Sequence, residues 1–377
     1  MNTVRTRWLT IALAVACVAG MARGAQGIPG FGSGDYVPPT PRWRGQAGMT
    51  FLQIGGSARA EALGGAYAAG KADLATIFYN PAGVAGSPRF SVYANHTSWI
   101  ADMAVNNFAA STTYRSFTVG MTYVTMDYGE IMGTVIANNA LGYEKTGPLS
   151  PSTWAAGGLL AARLTDRFNV GVHLRYAVQD FDDTRAYSFS RLQYYGPDTT
   201  NANRVAAVIL DLGTQYDLGL RSVTINMALQ NYTTAKSFVK GSPAGKFDFP
   251  LTYRVGLAGD AFEIITGDPN RSSKLMLYAE GIDQLDAGLG GAFGAEYVAD
   301  LSFIQPGTSA ALRIGRRPAR VQTSWTGPAK VLLGYSLSFG GGIRVPLGPT
   351  MLTLDYAHGD YGPGLTTQRL ALGISMK

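Results

Sequence analysis

From Arg89 to its last residues the chain repeats one pattern, with apolar and polar side chains alternating over stretches of about ten residues. Across 168–181 one face carries Phe168, Val170, Val172, Leu174, Tyr176 and Val178, and the other Asn169, Gly171, His173, Arg175 and Gln179. Across 334–345 Tyr335, Leu337, Phe339, Ile343 and Val345 alternate with Gly334, Ser336, Ser338, Gly340 and Arg344. A helix, with a period near 3.6, would scatter these apolar residues around its axis, whereas a strand gathers them on one side. The same alternation marks 203–216, 221–232, 250–260, 349–358 and 367–376. Shorter or fainter versions mark 89–96, 104–114, 116–127, 152–164, 274–283, 289–299 and 308–316. That makes fourteen strands, and an even number lets both ends of a closed antiparallel sheet lie on one side.

The connections alternate too. Counted from the N-terminus, the even gaps include Tyr114-Arg115, Thr165-Asp166-Arg167, Asp217-Leu218-Gly219-Leu220 and Pro346-Leu347-Gly348, all tight. The odd gaps include 128–151, 182–202, 233–249 and 317–333, all long and polar or rich in Pro and Gly. Two gaps depart from the rule: 261–273 is long among the tight ones, and 284–288 is short among the long ones. Tight turns at one end and long loops at the other are the asymmetry of an outer-membrane barrel, for which a soluble sandwich has no reason.

Composition bears on the same choice. Charged residues make up 15% of the chain, against roughly 25% in an ordinary soluble domain. No apolar run approaches the roughly 20 residues of a membrane-spanning helix. Composition alone would also suit a soluble solenoid or sandwich. The polar strand faces argue for the barrel, because they hold glycine, serine and a sparse set of charges rather than the Lys and Glu of a solvated sheet. Those charges and the one histidine among them are His173, Arg175, Asp211, Arg254, Glu280, Glu296, Arg313, Arg344, Asp355 and Arg369. Both signs are present, as expected of a lumen network.

At the N-terminus, Arg5 and Arg7 precede the short apolar run Leu9–Val18, and Ala22-Arg23-Gly24 offers a small-x-small cleavage site. Residues 1–24 are therefore expected to be a secretory signal, and Cys17 in LAVAC is a weak match to a lipoprotein site. Without that segment no cysteine remains, which excludes disulfides and a thiolate nucleophile. The remainder has 28 basic and 25 acidic side chains, so no basic surface for nucleic acid is expected. Residues 25–50, rich in Gly, Pro and Gln, are expected to be a linker.

Residues 51–88 differ from all that follows. Between Ala58 and Ala72 lie seven alanines and the pair Gly64-Gly65, and the stretch closes on Phe78-Tyr79-Asn80-Pro81-Ala82-Gly83. Small residues let backbones approach in a confined space, while Pro81 fixes φ and Gly83 is free to take φ > 0 in a tight turn. The expectation is an all-β, transmembrane antiparallel barrel of about fourteen strands, spanning 89–377, with a short luminal plug at 51–88. Asn80-Pro81 is expected to end the plug and start the wall.

The stretch 55–86 resembles the N-terminal motif of the PorV/PorQ family, through Ala58-Arg59-Ala60, Gly64-Gly65-Ala66-Tyr67, Asp73 and Asn80-Pro81-Ala82-Gly83. Weaker agreement continues through Gly294-Ala295-Glu296-Tyr297, Leu312-Arg313-Ile314-Gly315, Leu354-Asp355-Tyr356 and Arg369-Leu370-Ala371-Leu372-Gly373. The resemblance implies a barrel similar to FadL in the bacterial outer membrane, with Arg59, Gly64, Gly65, Asp73, Asn80, Pro81 and Gly83 as plug motif. It implies a role as accessory to type IX-like protein secretion, with outer-membrane lipid, exported proteins or secretion-machinery subunits as partners. The alternative is a FadL-like channel for small hydrophobic compounds. The chain ends on Ile374-Ser375-Met376-Lys377, without the aromatic residue on which such barrels usually close.

No enzyme is expected. His96, His173 and His358 fall on separate strands without metal-ligand spacing, Gly30-Phe31-Gly32-Ser33-Gly34 follows no strand, and no nucleophile–base pair follows from spacing. Neither cofactor nor metal is expected. The arginines 313, 316, 317 and 320 read as a solvated loop rim, with lipopolysaccharide phosphate as the alternative contact.

Overall fold

The computed structural model describes residues 47–181, 204–234, 236–237, 246–285, 288–317, 336–361 and 365–376. The expected signal and the linker as far as residue 46 lie outside the described residues. Fourteen strands form the wall: β1 (Phe90–Ser98), β2 (Ala104–Tyr114), β3 (Phe117–Asp127), β4 (Ser152–Thr165), β5 (Phe168–Asp180), β6 (Arg204–Asp217) and β7 (Thr224–Tyr232). They continue as β8 (Thr252–Asp260), β9 (Lys274–Gln284), β10 (Gly288–Asp300), β11 (Ser309–Arg317), β12 (Ser336–Leu347), β13 (Thr350–Asp360) and β14 (Thr366–Met376). Each pairs antiparallel with its sequence neighbours, and β1 pairs with β14, closing an up-and-down barrel. Closure removes both sheet edges, which in hydrocarbon would leave backbone groups unpaired. At the seam Phe90 stands opposite Met376, so β1 supplies an aromatic beside a C-terminus that lacks one.

Every expected strand coincides with a wall strand, its ends displaced by at most three residues. The long inner gap has a cause the alternation did not show: it holds a helix, Ala261–Thr266, capped by Asp260 and stopped by Gly267 at φ 81°. Two outer loops carry ribbons of their own, Ile131–Ile136 paired with Tyr143–Leu149, and Lys236–Ser237 paired with Lys246–Phe247.

The two wall faces are inverted relative to a soluble sheet. On β5, Val172, Leu174 and Tyr176 are exposed, while His173 and Arg175 between them are buried. The pattern recurs around the barrel, with Leu212, Ile314, Phe339, Tyr356, Leu370 and Leu372 outward. Phe90, Tyr114, Phe117 and Tyr216 are exposed at the inner strand ends, where aromatic girdles of such barrels sit. An apolar exterior around a polar interior is stable only in lipid.

The lumen is filled by the chain that precedes β1. It begins at the outer mouth, where Gly48 N–H donates to Asp248 O (3.0 Å) of the β7–β8 loop. Met49 and Phe51 are buried there, in one apolar cluster with Val105, Met126, Ala155, Val205 and Phe249. The chain then descends to the inner end of β6, where Lys71 pairs with Asp217, and leaves through Ser87 into β1. Met49 is 1% exposed and a 3₁₀ turn starts at Thr50, so the luminal segment begins earlier than the expected boundary at 51. The physical reason is the aromatic pair Phe247 and Phe249, which gives the apolar residues before 51 a place to bury.

Candidate functional site

The plug consists of single helical turns, each too short to persist alone. They are a 3₁₀ turn at Thr50–Gln53, helix α1 (Ala58–Ala62), and 3₁₀ turns at Leu74–Phe78 and Pro81–Val84. The last three start on a capping side chain: Ser57 accepts from Ala60 N (3.2 Å), Asp73 from Ala75 N (2.9 Å) and Asn80 from Ala82 N (3.0 Å). Pro81 occupies the first helical position, where its missing N–H costs nothing. Asn80 does more than end the plug. Its amide also donates to Ala68 O (3.0 Å) and to Thr214 O on β6 (3.1 Å), tying two plug segments to the wall.

Close approach of plug to wall depends on missing side chains. A Cβ at Gly171 or Gly213 would collide with Pro81, and one at Gly315 with Leu63 and Gly64. Gly64 and Gly65 take left-handed conformations, φ 67° and 84°, where the plug turns back beside Arg316 and Arg317. Gly83 does not adopt the expected positive φ. It sits inside the Pro81–Val84 turn, and its lack of a Cβ makes room for Gly70 O and Thr76.

Buried ion pairs fasten plug to wall at three levels. Toward the inner mouth, Arg59 bridges Asp73 (3.1 Å) and Glu296 (2.6 Å), and Arg313 bridges Glu296 (2.7 Å) and Asp355 (2.6 Å). Tyr67 OH donates to Asp73 (2.5 Å), and Tyr278 OH to Glu296 (3.3 Å). At mid-height Arg254 pairs with Glu280 (2.6 Å), whose second oxygen accepts Ala68 N (2.9 Å). Toward the outer mouth Glu61 meets Arg369 (2.9 Å), Arg317 (3.4 Å) and the Tyr361 hydroxyl (3.1 Å). Burial by itself would raise the Glu61 carboxyl, but the Arg369 and Arg317 guanidiniums hold it below the ordinary carboxylate value.

A separate cluster lies on the wall. His173 contacts Asp211 (Nδ1, 3.1 Å) and Thr122 (Nε2, 2.8 Å), and Arg175 donates to Asp211 (2.6 Å) and Asn231 (2.7 Å). In all, Arg59, Arg175, Arg254, Arg313, Arg317 and Arg369 face Glu61, Asp73, Asp211, Glu280, Glu296 and Asp355 in these pairs, so the charges balance. Balance matters, because an unpaired charge buried here would cost several kcal/mol, about 3–5.

Of the ten polar wall residues named from the sequence, nine are buried in the lumen. Arg344 is the exception: it is exposed and lines a cleft at the inner mouth with Arg59, Glu296 and Arg313. The arginine rim reading is corrected in part. Arg313 points inward and pairs with Glu296 and Asp355 on the wall, Arg317 points inward and binds the plug, Arg316 is exposed, and Arg320 lies outside the described residues. Sequence reading missed Glu61, Tyr67 and Arg317. Glu61 lay inside the conspicuous small-residue run, four positions before Gly65, and was the one acidic signal there.

Between the plug's outer turn and the wall lies a small cleft of about 20 Å³, room for about one water. Phe51, Leu52, Ile54, Ile77 and Phe78 line it from the plug, and Asn107, Val124, His173, Arg175, Asp211 and Gln230 from the wall. One side is apolar and the other polar. Among the described residues no group of His, Cys, Asp and Glu could hold a metal ion.

No family model matches the chain, and no curated protein sequence matches it. Solved structures do. Two crystal structures of the Pseudomonas putida toluene transporter TodX superpose with TM-score 0.50 at 10% identity, over 85% of this chain and 97% and 96% of theirs. A FadL homologue of Pseudomonas aeruginosa superposes with TM-score 0.48 at 11% identity, over 85% of this chain and 97% of that one. At such identity the likeness is one of fold. The chain is a bacterial outer-membrane β-barrel, and its architecture is FadL-like.

Proposed function

We propose that the chain is an outer-membrane channel for small hydrophobic compounds. The observation that carries this reading is the outer turn of the plug, which is fixed to the barrel mouth by apolar packing around Met49 and Phe51. Residues 47–54 contain no ionisable side chain, whereas 55–88 are held by the buried ion pairs. The outer turn is thus the part of the plug that an apolar molecule could displace without exposing a charge. The fold shared with TodX, a toluene transporter, supports the same reading. Uptake tests it: cells expressing the chain should accumulate a labelled monoaromatic hydrocarbon faster than cells with an empty vector, and uptake of a hydrophilic solute should not change. Equal hydrocarbon uptake would sink the reading.

The PorV/PorQ-like motif at 58–83 favours a second reading, an accessory of protein secretion. In the structure those residues face the plug interior and the lumen wall, and no exported partner could reach Asn80 or Glu61 while the plug is seated. An unchanged surface proteome on deletion would remove that reading.

A further inference from the structure

We infer that the helix Ala261–Thr266 is an interfacial anchor lying in the inner leaflet of the outer membrane, and that Arg271 beside it holds the phosphate of a zwitterionic phospholipid. The inference stands apart from the channel reading. Chain order puts this helix in an inner turn, but its packing puts it outside the wall, on the side that meets lipid. On β8 that side carries Tyr253, 44% exposed, while Arg254 and Ala258 are buried toward the lumen. Gly259 falls on the same side as Tyr253, yet it is buried, because Ile264 covers it: a Cβ there would lie 3.0 Å from Ile264 Cδ1. On β10 Tyr297 is exposed outward and Glu296 buried inward. The Phe262 ring meets the Tyr297 ring edge-on, with centroids 6.4 Å apart and planes at 82°. Contacts with two strands thus place the helix against the exterior of the barrel, continuous with the lipid-facing wall.

The placement is fixed by polar bonds. Asp260 accepts from Phe262 N (3.0 Å) and Leu275 N (3.1 Å), tying the start of the helix to the start of β9. Arg221, on the β6–β7 turn, donates to Glu263 O (2.5 Å) and Ile264 O (2.6 Å), carbonyls that a helix C-terminus leaves over. Phe262 and Ile264 pack on the wall, and Ile265 remains 63% exposed. In water that side chain would have nothing apolar to meet. At a bilayer interface it enters the acyl chains that cover Leu277 and Phe293, both exposed on the adjoining wall. Arg271 lies over the Phe262 ring, 4.8 Å from its centroid, and has no acidic partner among the described residues. An aromatic at the boundary with a guanidinium stacked on it sets the cation at headgroup depth. Arg221 and Arg271 are balanced by Glu263 and Asp268, so this part of the rim carries no net charge. It suits a zwitterionic headgroup, such as phosphatidylethanolamine, better than an anionic one.

The test uses the full-length protein in micelles, titrated with phosphatidylethanolamine, phosphatidylglycerol or diacylglycerol of the same acyl chains, with bound lipid counted by native mass spectrometry. Phosphatidylethanolamine should bind about fivefold tighter than diacylglycerol, the worth of one arginine beside a phosphate. Arg271→Gln should remove that preference, and Arg271→Lys should keep most of it, because an ammonium also attracts phosphate. A spin label on Ile265→Cys in bilayers tests the placement independently of affinity. It should be accessible to dissolved oxygen and shielded from a water-soluble nickel complex. Equal binding of phosphatidylethanolamine and diacylglycerol would overturn the phosphate assignment, and tighter binding of phosphatidylglycerol would overturn the zwitterionic one. Nickel accessibility at Ile265 would overturn the anchor and mean that the helix faces the periplasm, as a docking surface for another protein would.

Discussion

Glu296→Gln is the most informative single change. Glu296 is 0% exposed and accepts from Arg59 on the plug (2.6 Å), Arg313 on the neighbouring strand (2.7 Å) and Tyr278 OH (3.3 Å). Glutamine keeps the shape and one acceptor but removes the charge, leaving two guanidiniums with only Asp73 and Asp355 between them. Breaking a buried pair in this way costs about 3–5 kcal/mol. The lower figure applies, because one hydrogen bond survives. Wall strands remain closed by their ladders, so the loss falls on the docking of plug to wall. About 3 kcal/mol corresponds to roughly a hundredfold rise in the population of undocked plug. Amide hydrogen exchange of the protein in micelles reads this directly. Protection of the amides from Ala58 to Val84 should fall about a hundredfold, and that of β3 to β6, distant from Glu296, should stay unchanged. Plug protection within about a factor of three of wild type would refute the idea that the ion pairs hold the plug.

Three further outcomes follow from the same contacts. Gly315→Leu places a side chain where Leu63 and Gly64 lie, so the barrel should still show heat-modifiable migration in gels while residues 58–84 become cleavable by added protease. Asn80→Ala removes a cap and two amide bonds to Ala68 O and Thr214 O. It should destabilise the docked plug by about 2–3 kcal/mol, read by the same exchange measurement. The Glu61 carboxyl is held below its ordinary value, so its contribution is complete above the unfolded value and is lost only as pH falls through the lower folded one. Protection of the amides near Glu61, taken relative to their intrinsic exchange rate at each pH, should therefore be flat from neutral pH down to about 4.3 and fall below it; an onset near pH 6 would contradict the Arg369 and Arg317 pairing.

The wall was legible because the feature that builds it is local. Alternation over a dozen residues identifies a strand such as β5 whatever its partners, and Gly348 marks a turn by itself. The small-residue stretch was legible for the same reason. What the sequence concealed depends on pairs distant in the chain. Nothing near Arg317 says that it meets Glu61 rather than solvent, and its neighbours Arg316 and Arg320 made it look like a rim. Gly83 has the sequence setting of a turn glycine, yet the lack of a Cβ serves Gly70 O and Thr76 rather than φ. The bulge at Asn231 interrupts a run that reads as ordinary strand, and the contacts of Asn231 with Asp211 and Arg175 follow from it. The apolar residues before 51 found their place only through Phe247 and Phe249, on a loop between strands far along the chain.

Single-cysteine spin labels along β5 test the arrangement most directly, since the sole native cysteine, Cys17, lies in the expected signal. Labels at Val172, Leu174 and Tyr176 should be accessible to dissolved oxygen and shielded from a water-soluble nickel complex, as lipid-facing groups are. Labels at His173 and Arg175 should be shielded from both, because the plug occupies the lumen. Nickel accessibility at His173 and Arg175 would mean an open, unplugged pore, and nickel accessibility at Val172 and Leu174 would contradict a barrel embedded in the membrane.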